Sequence, residues 1–272
     1  MSAAELLDAG SRASTGSTGT PRRLVVTWQH PERRSICPVG FLTFDGDAYG
    51  FHYVRAALTT ADFSPLIGFP DLHEAYTSAE LFPLFAQRAM DPRRADYTRY
   101  VTRLGLPEDT TPWEQIARSG GRRNGDTLQL FPEPQVVGGS MSCTFLAHGL
   151  RHICQGPLRT ADGPVYVSGE DLETALGRLQ IGEELAVLPE PNNQFNANAL
   201  LVTAQGTPVG WIPNLLVDDL ARLRQSSTLR AFVERVNGSD APGHLRLLGT
   251  LRAENVGDFE FFTSDAWEPI AQ

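Results

Sequence analysis

From residue 24 onward the chain sets short apolar runs against polar breaks, and the period of those runs changes along its length. Residues 24–28, 39–44 and 49–54 are dense in Val, Phe, Tyr and Trp, with Asp45-Gly46-Asp47 between the last two, which predicts a small sheet. Leu81, Phe82, Leu84 and Phe85 then fall on one side at helical spacing and predict a helix over 81–90, with further helices at 94–104 and 112–118. In the second half, 143–148 and 184–188 read as strands flanking a helix at 169–179 that Ser168 caps. Strands at 199–203 and 209–212 around a Gln205-Gly206 turn, a helix at 214–224 and a strand at 244–252 complete the pattern.

These elements imply an α+β chain. A small N-terminal α+β domain with a short β-sheet and helices is expected over 22–131, and a small OB-like β-barrel with one or two helices over 141–253. A length of 272 residues favours two such units. Between them, Pro132-Glu133-Pro134-Gln135 and Gly138-Gly139-Ser140 mix stiff and permissive residues, so 132–140 reads as a linker. Residues 1–21, rich in Ser, Thr, Gly and Ala, read as a disordered leader, and 254–272 as a C-terminal extension.

Charge narrows the function. The net charge of −9 excludes a protein that coats nucleic acid by phosphate neutralisation, so any such contact must be local. Residues 141–272 hold 9 Arg against 16 Asp plus Glu, a balance of −7, and the remainder 14 against 16, or −2. All 23 basic residues are Arg, which removes every lysine-dependent mechanism. The three cysteines have no framework spacing and fit a reducing compartment; with no apolar export segment in sight, a soluble cytoplasmic protein without membrane contact is expected.

The run Glu190-Pro191-Asn192-Asn193-Gln194-Phe195-Asn196-Ala197-Asn198-Ala199-Leu200, followed by Val209-Gly210-Trp211-Ile212-Pro213 and an apolar helix at 215–223, resembles the signature of the HIRAN domain. Gly149-Leu150-Arg151-His152 stands where that family has its glycine-led first strand, and the likeness covers about 142–252. The resemblance implies single-stranded DNA binding, with some eukaryotic members holding a free 3′ end. Carried over by position, it assigns Arg151 to a backbone phosphate, His152 and Phe195 to a base sandwich, and Asn193 and Asn196 to the pocket lining. His152 stands where better-known members have Tyr, and Asn196 where they have Asp, which removes a charge that would reject a 3′-phosphate. On composition alone Asn192, Asn193 and Asn196 are turn formers, and Phe195 suits a core as well as a stacking surface.

In the first half, Val39-Gly40-Phe41-Leu42-Thr43-Phe44, Tyr49-Gly50-Phe51-His52-Tyr53, Ser64-Pro65-Leu66 and Leu81-Phe82-Pro83-Leu84-Phe85 resemble the N-terminal subdomain of HipA-type toxin kinases, without the kinase domain. That resemblance implies a protein-interaction module. The apolar cluster at 81–85 is itself expected in a core, as helical apolar stripes normally are.

Other signals are weaker. Cys143, His148, His152 and Cys154 offer zinc-ligand types at a spacing that suits no structural zinc motif, so neither metal nor cofactor is expected. Gly120-Gly121-Arg122-Arg123-Asn124-Gly125 could cradle a phosphate but lacks the Gly-Lys-Ser/Thr of a P-loop and reads as a solvated turn. The pairs Glu183-Glu184 and Asp218-Asp219 read as surface charges, and no catalytic constellation is complete. The expected function is that of a binding protein recognising single-stranded DNA or DNA ends, with a kinase, helicase or nuclease as protein partner. The alternatives are an antitoxin-like regulator of a HipA-type kinase and a subunit of a DNA-processing complex.

Overall fold

The computed structural model describes residues 22–33, 35–123 and 125–271, so the expected leader and Asn124 lie outside the described residues. The first sheet has the order β4-β3-β2-β1-β5 and is antiparallel throughout: β1 (Arg23–Gln29), β2 (Ile36–Phe44), β3 (Tyr49–Tyr53), β4 (Tyr76–Ser78) and β5 (Leu128–Pro132). Between these strands lie the helices α1 (Ala56–Thr59), α2 (Pro83–Ala86), α3 (Tyr97–Arg103) and α4 (Pro112–Ser119). Helix α4 opens with a capping box, in which the Thr111 hydroxyl accepts from the Glu114 amide and the Glu114 carboxylate accepts from the Thr111 amide.

The second sheet has the order β12-β11-β10-β13-β14-β7-β6 and curls into half a barrel: β6 (Gln135–Val137), β7 (Ser140–Leu146), β10 (Glu184–Pro189), β11 (Leu200–Ala204), β12 (Thr207–Trp211), β13 (Leu229–Val236) and β14 (Leu247–Glu254). A separate hairpin joins β8 (Leu158–Thr160) to β9 (Gly163–Val165), and the helices are α5 (Leu150–Ile153), α6 (Gly169–Arg178) and α7 (Asn214–Leu223). The chain is thus α+β, as the periodicity implied. Among the described residues no helix is long and apolar enough to cross a membrane.

Strand β1 explains how the halves meet. Its LVVTW run is buried on both faces, unlike the alternation of a half-solvated strand. Leu24, Val26 and Trp28 face the core of the first half, with Phe51, Phe85 and Trp113. Val25 faces the other way and, with Phe41 and Phe131, joins the core of the curled sheet around Leu201, Val217 and Leu247. Polar contacts cross the same seam: Arg118 pairs with Glu234, Arg103 with Asp240, and Asn237 Nδ2 donates to the Arg103 carbonyl at 2.8 Å.

Several elements differ from expectation. The helix expected over 81–90 is the single turn α2, because Phe82 is extended, Pro83 starts the turn and Phe82 and Phe85 pack on Phe69. The segment at 149–152 is the helical turn α5 and not a strand: Gly149 adopts φ 72° and a Cβ there would lie 2.5 Å from the Trp211 ring. Within the stretch read as a linker, Gln135–Val137 forms β6, hydrogen-bonded to β7. The residues read as an extension return to the first sheet, where the Ile270 amide donates to Tyr53 at 3.0 Å and the Arg55 amide to Glu268 at 2.9 Å. Trp267 and Phe262 pack there on Phe41, their centroids 5.8 and 6.4 Å from its ring.

Candidate nucleic-acid interface

The loop between β10 and β11 is organised from beneath by Glu190, only 3 % exposed. Its Oε1 accepts from the Arg159 amide at 2.8 Å, and its Oε2 from Asn193 Nδ2 at 2.6 Å and Trp211 Nε1 at 2.8 Å. Such a carboxylate tolerates burial because three donors replace its water. It ties together the β8 hairpin, the loop and the end of β12.

Above Glu190, the Asn193 side chain folds the loop. Its Oδ1 accepts from the amides of Phe195 at 2.9 Å and Asn196 at 3.3 Å, the local bonding that makes Asn a turn former. Phe195 follows at the tip with 83 % of its surface exposed, so it is no core residue. Asn196 Oδ1 accepts from the Asn198 amide at 2.8 Å, and Asp218 Oδ1 on α7 accepts from Asn196 Nδ2 at 3.4 Å and from Asn198 Nδ2 at 2.9 Å.

Arg151 and His152 sit exposed on α5. His152 Nδ1 lies 2.8 Å from Gln155 Oε1, and Arg151 runs across Gly243, where a Cβ would stand 3.2 Å from its Nε. The two groups of predicted residues are bridged by Trp211, which bonds Glu190 through its indole, covers Gly149 with its ring, and exchanges both backbone hydrogen bonds with His148 at 2.9 and 3.0 Å. The structure therefore gathers Asn193, Phe195 and Asn196 on one loop, with Arg151 and His152 on the turn linked to it through Trp211 and Glu190.

Sequence reasoning passed over Glu190, Trp211 and Asp218 as site residues. The first two stood inside the motif, and a carboxylate and an indole 21 residues apart gave no sign that they would bond. The Asp218-Asp219 pair is not merely surface charge. Asp218 holds the Asn loop, and Asp219 accepts from the Phe262 amide at 2.9 Å and pairs with Arg222. Glu184, by contrast, is an exposed partner of Arg230.

The possible zinc ligands do not converge. Cys143 is buried with its thiol pushed up to about 12, by burial first and then by Glu133, whereas His152 and Cys154 are exposed. Among the described residues no group of three or more His, Cys, Asp or Glu is placed to hold a metal ion.

No protein-family model matches the chain, and no curated protein does. Among solved structures, the crystal structure of a Lactobacillus plantarum protein aligns at 21 % identity and a TM-score of 0.31, covering 43 % of this chain and 99 % of that one. The HIRAN domain of human HLTF aligns at 19 % identity and a TM-score of 0.26, covering 43 % of this chain and 79 % of that one.

Proposed function

We propose that this chain is a nucleic-acid-binding protein that recognises single-stranded DNA or DNA ends through the loop of Asn193, Phe195 and Asn196 and the turn of Arg151 and His152. The observation that carries the reading is Phe195: a large apolar ring held in solvent on a loop whose shape a buried carboxylate sets. A base stacked on such a ring contributes about 1–3 kcal/mol whatever its sequence. Local stacking also suits a chain of net charge −9, which can offer few phosphate contacts. No residue of the loop needs catalytic chemistry for this role, so the chain acts by binding, with any enzymatic step left to a partner.

Fluorescence anisotropy on the full chain with labelled single-stranded, recessed and blunt DNA at low salt tests it. The full chain is required because a fragment of the second half would lose Val25, Phe41 and Phe131 from its core. Tighter binding to single-stranded and recessed DNA than to blunt duplex is expected; equal or absent binding overturns the proposal.

The first half is proposed to serve as a protein-contact module. Most of the residues that suggest its HipA-like character, among them Val39, Leu42, Phe51, Tyr53 and Phe85, are buried and specify packing. A partner would therefore meet other side chains, and pull-down with the intact chain as bait, compared with the exposed-site variant Ile67→Glu, would find them; Ile67 is 86 % exposed.

A further inference from the structure

Of the chain's Phe, Tyr and Trp side chains, two stand exposed in solvent, Phe195 at 83 % and Tyr166 at 74 %. The others are buried or half-buried, so a bare ring is the exception in this molecule. Tyr166 directly follows β9. Strand alternation explains its exposure: Leu158, Val165 and Val167 turn inward to the core of the curled sheet, which leaves Arg159, Pro164 and Tyr166 on the outer face of the β8–β9 hairpin. Arg159 stands opposite Pro164 in the register, so Tyr166 lies diagonally across from it.

We propose that this outer face is a second nucleotide subsite, in which Tyr166 stacks another base of the strand that lies on Phe195 and Arg159 takes a backbone phosphate. The subsite rests on the single-strand reading and extends it from one base to a path.

Three observations converge on it. First, one buried carboxylate holds the segments that carry both exposed rings. The Arg159 amide donates to Glu190 Oε1 at 2.8 Å, Asn193 Nδ2 donates to Glu190 Oε2 at 2.6 Å, and the Phe195 amide donates to Asn193 Oδ1 at 2.9 Å. Three hydrogen bonds thus join the backbone of the hairpin to that of the loop tip and fix their spacing before a ligand arrives, which spares it the cost of ordering them. Second, the hairpin begins only residues 154–157 after α5, so the turn of Arg151 and His152 runs straight into it. The turn, the hairpin and the loop therefore share one surface. Third, the chemistry matches a nucleotide: the phenol ring offers a face on which any base stacks, and the Arg159 guanidinium is exposed and pairs with no carboxylate among the described residues. Asp162, the one acid of the hairpin, lies in its turn, away from the end that Glu190 holds, so a strand that crosses Arg159 and Tyr166 stops short of it.

The test uses the full chain and two ligands. Binding of a single thymidine nucleotide is read from the NMR shift of the Phe195 amide, and binding of a labelled thymidine hexanucleotide from anisotropy across a salt series. Tyr166→Ala should take the single nucleotide as the native chain does and bind the hexanucleotide roughly fivefold or more weakly, the lower end of the range for one stacked base. Tyr166→Phe keeps the ring and should restore native binding. Arg159→Gln keeps the amide that Glu190 holds, and should make the log–log salt slope for the hexanucleotide shallower by about 0.7, the share of one single-strand phosphate. Both side chains are exposed, so the melting temperature of every variant should stay native. Native hexanucleotide affinity in Tyr166→Ala, equal losses for both ligands, or an unchanged slope in Arg159→Gln overturns the subsite while stacking on Phe195 stands. If the native chain binds neither ligand, the single-strand reading falls and the subsite with it.

Discussion

Trp211 Nε1 and Asn193 Nδ2 donate to the same oxygen of Glu190, at 2.8 and 2.6 Å, so one buried carboxylate sets both the floor and the loop of the binding surface. In Glu190→Gln one of the two acceptor oxygens becomes an NH₂ that must face a donor, either the Arg159 amide or the Trp211 and Asn193 pair. We expect a loss of about 1–3 kcal/mol in stability, read as a lower urea midpoint with a change in tryptophan emission. An unchanged midpoint would show that Glu190 does not organise the loop.

Phe195→Ala removes an exposed ring and creates no cavity. Single-strand binding should weaken by about 1–3 kcal/mol while the melting temperature stays within a degree or two of native. A sharp drop in melting temperature with binding retained would return the ring to a packing role.

Asn196→Asp places a second carboxylate beside Asp218, whose Oδ1 now accepts from the Asn196 amide at 3.4 Å. Both side chains reach solvent, so the repulsion should cost about 1 kcal/mol at neutral pH. The variant's new carboxyl is pushed up by its neighbour, so the penalty is present when that group is ionised and fades as it protonates at low pH. The added charge should also increase rejection of a 3′-phosphate oligonucleotide relative to the 3′-hydroxyl by roughly 1–3 kcal/mol. Competition between the two oligonucleotides, with denaturation at two pH values, checks both parts.

Burial first, then Arg122 and His244, lowers the His148 imidazole to about 4. Because its ordinary value lies near 6.5, the unfolded chain binds the extra proton between these limits. Stability is therefore fully present above pH 6.5 and is lost as pH falls toward 4. His52 and His244, also lowered chiefly by burial, act in the same direction. Urea unfolding at pH 7, 5.5 and 4.5 should show the decline, and His148→Gln should make it shallower.

Salt dependence reports how local the contact is. With a handful of guanidinium and imidazole contacts, the slope of log affinity against log salt should be no steeper than about −4. A steeper slope would mean that more than about five phosphates are neutralised, a mode that an acidic surface does not support.

Much of the fold was legible where one face of an element decided its pattern. β2, β3, α4, α6 and α7 fall within a few residues of their apolar periods, and Ser168 caps α6 through the expected hydroxyl. α2 was over-read because its aromatics serve a ring cluster around Phe69 and not a helix face. β13 was missed although Ala231 and Val233 alternate inward, since Arg230, Glu234 and Arg235 crowd the other face. For the site, the motif located the loop and the turn. It could not show that Phe195 stands in solvent, or that Asp218 and Trp211 reach the loop from other elements, because those facts depend on how α7 and β12 close over it.

The return of the last residues to the first sheet sets an order of events during synthesis. Phe41 and Tyr53 leave the ribosome more than 200 residues before Trp267, which packs beside Phe41, and Ile270, which bonds Tyr53. At ordinary elongation rates this gap lasts roughly 10 to 40 s. For that interval the Phe41 ring lacks Trp267 beside it and the Tyr53 carbonyl lacks the Ile270 amide, while the curled sheet that covers Val25 and Phe131 is already being made. The strap of residues 259–270 is thus the last piece to dock, closing the first sheet only after the curled sheet between them in sequence has been synthesised.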